Sequence, residues 1–211
     1  MDLFPRAWSA LQEAVRALEG GQWAAPSGCT GWLVQDLVFH LVIDAQDVLI
    51  TLATTTGAAP SRDAVTYWRP AGPPTGVEAE SAFVRRSAAA YATPGGLAHH
   101  FDDLAAAAAG RAAAAADPAA RVETRDEVFT VADFLAVCVV EATLHHLDLV
   151  RHLPGVDGPP PETVAATRAL VEVLTGQALP AGPDDHEALR SATGRAPVPA
   201  AWGGFTPVVL G

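Results

Sequence analysis

The sequence predicts an all-α protein, and three observations carry that prediction. Alanine, the residue that costs least to place in a helix, is abundant and runs unbroken through Ala105–Ala109 and Ala112–Ala116. Apolar residues recur at helical spacing in several long stretches. Half of the 211 residues are hydrophobic, enough to pack the core of one ordinary domain, with or without a small appendage.

Residues 3 to 19 place Leu3, Ala7, Leu11, Ala14, Val15 and Leu18 at helical spacing, and Gly20-Gly21 ends the pattern. Thr30 is expected to cap a long second helix running through Leu33, Leu37, His40, Leu41 and Leu52 and stopping near Gly57. The stretch from Gly57 to Gly76 is rich in Pro, Gly and Ser and predicts a loop. Its Tyr67-Trp68-Arg69 cluster suits a loop with a role, since loops of this length in compact domains are often functional. An alanine-rich helical region follows over 77–116, with a break near Pro94-Gly95-Gly96 and a stop at Asp117-Pro118. Val122 to Phe129 is read as extended. A fourth helix, from about Val131 to Leu153, carries Phe134, Cys138, Glu141, His145 and Asp148 along one face. Beyond the linker Pro154–Pro161, two shorter helical patterns lie at 162–178 and 184–193, before a Pro/Gly-rich tail. The simplest architecture is an antiparallel four-helix bundle over 1–153 with a small helical extension over 154–211.

A formal charge of -11 gives a surface that repels phosphate backbones and anionic headgroups, which argues against nucleic acid and membrane partners. The opening Met1-Asp2-Leu3-Phe4-Pro5 lacks a basic region followed by an apolar stretch, and no segment holds the ~18 uninterrupted apolar residues of a membrane span. A soluble, cytoplasmic protein is expected. Cys29 and Cys138 have no C-x-x-C spacing, so a zinc ribbon and a dithiol redox motif are both excluded.

The chemistry concentrates on Glu141 and His145. Four residues apart on a helix, they project from one face and can converge on one ion. Alone, that spacing more often makes a surface hydrogen bond. Here Val137, Val139, Val140 and Leu144 make the helix apolar on most sides, and a buried Glu needs a partner or a cation to stay ionised. His40, in the middle of the second helix, can supply a third ligand from a neighbouring helix. Two histidines and a carboxylate leave coordination positions open, as catalytic sites do. Asp36 and Asp44, one turn either side of His40, are candidates to orient its ring, Asp44 being read more readily as ordinary helix polarity. Cys138 is expected to face the pocket as an apolar filler. Trp23, Trp32, His99, His100 and His146 are read as structural or solvent-facing.

The string from Trp23 through Trp32, Asp36 and His40 to Leu41 resembles the opening of the mycothiol-dependent maleylpyruvate isomerase N-terminal family, within the broader DinB-like metalloenzymes. The segment from Val131 through Glu141, His145 and Asp148 is similar to that family's ligand-bearing fourth helix, and Ala192-Thr193-Gly194-Arg195-Ala196-Pro197 to its C-terminal segment. The resemblance covers most of the chain, with residues 57–120 matching only in general character. It implies a DinB-like four-helix bundle and a divalent metal, zinc first, on His40, Glu141 and His145. It also implies a low-molecular-weight thiol, mycothiol, as co-substrate. The expected activity is S-transfer to, or cis–trans isomerisation of, an electrophilic small molecule. Tyr67 and Trp68 are the expected cofactor-binding residues, on a loop that with Arg69 can close over the metal and hold an anionic substrate, and Arg69 and Arg195 are the expected catalytic arginines that stabilise a carboxylate or enolate. The expected partners are the thiol and the electrophile, with a homodimer left open. Two other readings are a thiol-independent metal hydrolase or lyase, and a non-catalytic metal- or ligand-binding protein.

Overall fold

The computed structural model describes residues 3–69, 72, 74–180 and 184–210. Among these residues it forms seven α-helices and one small hairpin: α1 (Leu3–Arg16), α2 (Val34–Ala53), α3 (Ala79–Ala89), α4 (Pro94–Ala114), β1 (Arg121–Thr124), β2 (Glu127–Thr130), α5 (Val131–Leu149), α6 (Pro161–Thr175) and α7 (Asp185–Ala192). The bundle consists of α1, α2, α4 and α5: α1 packs on α4 and α5, and α2 on α4 and α5, while α3 lies against α2. The alanines of α4 allow its backbone close to α2, and Ala105, Ala108 and Ala112 are buried there. At the other end of α4, Phe101 stacks on Trp8 of α1 at 6.3 Å, with Phe4 beside Trp8 at 5.5 Å.

Helix α5 is apolar on most sides because two cores share it. Phe134, Val137, Cys138 and Ala142 belong to the bundle core. Val140, Leu144 and Leu147 belong to a second cluster with Val164 and Val171 of α6, Leu189 of α7, and Phe205 and Val208 of the tail. The C-terminal residues therefore cover the outer face of the helix that carries Glu141 and His145, and α6 also touches α1. No helix among the described residues is long and apolar enough to cross a membrane.

The start of the second helix differs from the expected one. The second helix begins at Val34 and not after Thr30, because Pro26 pairs with Leu33 and the Ser27 amide donates to Trp32, closing residues 26–33 into a tight loop with Gly31 at φ 77°. Asp36 then caps the helix by accepting the Leu33 amide at 2.9 Å. The alanine-rich region is broken near Pro94, as expected, into two helices, with Thr93 capping α4 ahead of Pro94.

The extended segment is a hairpin of two four-residue strands whose turn, Arg125-Asp126, has positive φ at both residues (48° and 63°), as a two-residue turn between twisted strands requires. The long loop after α2 follows this hairpin. Thr55 bridges Val122, and the amides of Ser61 and Arg62 donate to Val128. Asp63 then accepts the amides of Val65 and Thr66, and this turn delivers Tyr67 and Trp68 to the bundle.

Candidate metal centre

Helices α2 and α5 present donors at the same spacing. His40, Asp44 and Asp47 follow at i, i+4 and i+7 on α2, and Glu141, His145 and Asp148 do so on α5, so each trio shares a face. All six line one cavity of about 620 Å³ between the helices. At its centre, Nε2 of His40 lies 3.2 Å from Nε2 of His145, with the rings at 82° to one another. Asp44 Oδ1 is 3.6 Å from His40 Nε2. His40, Asp44 and His145 thus each bring one ligand atom within 4.8 Å of the others. Glu141 lines the same cavity one turn before His145, where its Oε1 accepts a 3.0 Å hydrogen bond from the Tyr67 hydroxyl.

The donor set suits a cation. Two imidazole nitrogens held at ~2.0–2.1 Å from one tetrahedral ion stand about 3.3 Å apart, close to the separation found here. Burial holds His40 down to about 4, so its ring is neutral at pH 7 and can offer a lone pair. Burial pushes Asp44 up to about 6, although His145 opposes the shift. Burial, with the neighbouring Asp44 charge adding to it, pushes Glu141 up to about 7 against the pull of His145 and the Tyr67 hydrogen bond. The two imidazoles and Asp44 converge, with Glu141 lining the same half-buried cavity; these carboxylates lack positive charge there, and a divalent ion would supply it.

Behind His145 lies a second set of groups. Asp148 Oδ2 is 3.6 Å from His145 Nδ1, accepts Arg195 Nε at 2.9 Å, and faces the Cys29 thiol at 3.4 Å. A carboxylate on Nδ1 selects the tautomer that leaves Nε2 free to ligate. Burial works to raise Asp148, but the Arg195 guanidinium and the His145 contact outweigh it and hold the group at about 2. The Cys29 thiol is pushed well up by burial and then by Asp148, so it acts as a weak donor to the carboxylate and not as a nucleophile.

Gly28 makes this approach possible. Its amide donates to the Asp148 carbonyl at 2.8 Å, and a Cβ on it would fall 2.5 Å from Asp148 Oδ1 and 2.8 Å from Asp148 Cα. Gly28→Ala is therefore expected to destabilise the protein by ~1–3 kcal/mol, the usual cost of overpacking, in a urea titration. An unchanged midpoint would mean that the loop shifts freely.

The expected residues divide by position. His40, Glu141 and His145 all line the cavity, with Asp44 completing the close group around the two imidazoles. Its signal in the sequence was its spacing of four from His40. Asp36, the other candidate to orient His40, is occupied as the cap of α2. Tyr67 and Trp68 line the cavity as well. Arg69 is not brought to the centre: it is exposed and pairs with Glu127, because the turn that aims Tyr67 inward leaves Arg69 beyond the hairpin. Arg195 reaches the site from the tail, but its charge meets Asp148, and its Nη1 donates to the Leu210 carbonyl at 2.8 Å. Trp32, read as structural, lines the cavity with its ring 5.1 Å from that of His40. Cys29 carried no spacing signal, since it comes from a loop far along the chain from α5. His146 bonds the Asp157 carbonyl, and His100 meets Tyr91, both away from the centre.

A mostly helical bundle with a C-terminal extension is consistent with the fold of the DinB-like group. The chain belongs to the mycothiol maleylpyruvate isomerase N-terminal domain family, which it matches over residues 4–150. That membership makes it a mycothiol-related protein of the DinB-like group. The match ends just after α5, so α6, α7 and Arg195 lie beyond it. Comparisons with curated proteins and with solved structures gave no match.

Proposed function

We propose that the protein is a divalent-metal-dependent enzyme that adds a low-molecular-weight thiol, mycothiol, to an electrophilic small molecule, ending in S-transfer or in cis–trans isomerisation. The observation that carries this reading is the pair of facing imidazole nitrogens 3.2 Å apart, with Asp44 beside them and Glu141 on the same wall, in a cavity large enough for a substrate. His40, His145 and Glu141 would hold the ion, zinc in the first instance, with Asp44 against His40. When bound, a divalent ion supplies the positive charge that lowers a thiol's pKa and strengthens it as a nucleophile at neutral pH.

The chain's own groups do the rest. Asp148 keeps His145 in the ligating tautomer. The Tyr67 hydroxyl steadies Glu141, and Asp44, with its raised pKa, is suited to take the thiol proton. Trp32, Tyr67 and Trp68 give the cavity aromatic walls that keep water from the reacting carbon.

The test is metal content. Protein purified without chelator is expected to hold about one divalent ion per chain, and folded His40→Ala, His145→Ala and Glu141→Ala variants, checked by circular dichroism, less than about a tenth of that. Absence of uptake from added zinc, manganese or iron(II) would overturn the proposal. Mycothiol consumption that requires both the loaded protein and an electrophile then separates thiol chemistry from hydrolysis.

A further inference from the structure

The charge of the cavity walls selects the acceptor, an inference that rests on the thiol reading above. Besides Asp44, Glu141 and Asp148, the walls carry Asp47, Glu78, Glu80 and Glu127. The guanidinium groups among them are those of Arg125 and Arg195. Both are already committed, Arg125 to Asp47 across the mouth and Arg195 to Asp148 and the Leu210 carbonyl. Arg62 and Arg69 approach from outside, and both meet Glu127. The chain contains no lysine, so no flexible ammonium group can enter from elsewhere. Glu78 is held by Thr75 and pulled down to about 2 by those hydrogen bonds, so it stays ionised, and Glu80 has no ion pair among the described residues. Away from the ion-binding group and the Asp148–Arg195 pair, the four carboxylates of Asp47, Glu78, Glu80 and Glu127 face three guanidinium groups, Arg62, Arg69 and Arg125, which leaves the walls one negative charge in excess. A carboxylate on the acceptor would enter with no free cation to meet it.

We infer that the pocket takes an uncharged conjugated electrophile and discriminates against dicarboxylate acceptors. The aromatic faces of Trp32, Tyr67 and Trp68 suit a planar uncharged π-system. The reaction needs no oxidant. The thiol sulfur bonds to one carbon of the C=C, the π pair moves to the neighbouring carbon, and that carbon takes up the proton the thiol released.

The experiment compares preformed adducts by calorimetry on the zinc-loaded full-length protein: mycothiol alone, its adduct with dimethyl maleate, and its adduct with maleate. The uncharged diester adduct is expected to bind on the order of 100-fold more tightly than the dicarboxylate adduct, the scale of a like-charge penalty. Glu80→Gln, which removes a wall charge, and Asp47→Asn, which frees Arg125, are each expected to narrow that gap. A dicarboxylate adduct that binds as tightly as the diester overturns the inference, as does binding of mycothiol alone with neither adduct. Binding of none of the three overturns the thiol reading itself, and the inference falls with it.

Discussion

Replacing Asp148 by asparagine is expected to destabilise the protein by ~3–5 kcal/mol and to weaken divalent-ion binding by roughly 10–100-fold. The first effect follows from burial. Asp148 is 1% exposed and faces Arg195, whose side chain is itself largely enclosed at 12% exposure. An amide leaves that guanidinium buried without a counter-ion, which is far more costly than never having built the pair. The second effect follows from geometry, because Asp148 is the carboxylate beside His145 Nδ1. The pH dependence gives an independent check. The folded-state pKa of Asp148, about 2, lies below the ordinary 3.8. Its contribution is therefore fully present above about pH 4 and is lost as pH falls from there through 2, on the order of 2 kcal/mol in all. Urea titrations at pH 6 and pH 3 should show the gap between wild type and variant shrinking at the lower pH. The double variant Asp148→Asn/Arg195→Gln should recover part of the loss. A single variant within about 1 kcal/mol of wild type, with unchanged zinc affinity against a competing chelator, would remove Asp148 from the site.

Much of this arrangement could be read before any coordinates. The 3.6-residue periodicity placed His40, Glu141 and His145 on helices, and the apolar residues around Glu141 marked it as a group needing compensation. Periodicity reports which residues of one helix share a face, and it fails where the answer depends on how distant segments meet. Asp44 could not be told from helix polarity without knowing that α2 turns that face to α5. Cys29 and Gly28 sit in a loop fixed by contacts with Asp148, some 120 positions away. Arg69 and Tyr67 are two residues apart yet point to different surroundings, because the Asp63 turn and the hairpin decide their direction. The apolar surroundings of α5 were legible, but their cause was not: the C-terminal residues make a second core on its outer face and bring Arg195 back to Asp148. Arg195, beyond the division at residue 153, therefore meets Asp148 on α5.

The candidate site also carries a stability cost that one substitution should expose. In the metal-free protein burial pushes Glu141 up from the ordinary 4.5 to about 7. A carboxyl group whose folded-state pKa is raised makes the native state bind more protons than the unfolded chain between those two values, so its presence lowers stability as pH rises from 4.5 through 7. Glu141→Gln keeps an oxygen to accept the Tyr67 hydroxyl but carries no charge. At pH 8 the metal-free variant is expected to be more stable than metal-free wild type by ~2 kcal/mol, allowing for partial solvent contact, or about 4–8 °C in Tm for a chain of this size. At pH 4, where the Glu141 carboxyl is mostly protonated in both the native and the unfolded state, the difference should be close to zero. Added zinc should reverse the order, because wild type gains stability from the ion it binds and the variant has lost a charged donor. Thermal melts at the two pH values, with chelator and with zinc, check all of this in one protein pair. A variant less stable than wild type at pH 8 in chelator would mean that the Glu141 charge is already compensated by the chain itself. The case for a cation at this centre would then rest on the two imidazoles alone. The crossing of stability order on adding zinc is what a binding site predicts and an ordinary buried carboxylate does not: the charge that strains the empty bundle is the one that holds the ion.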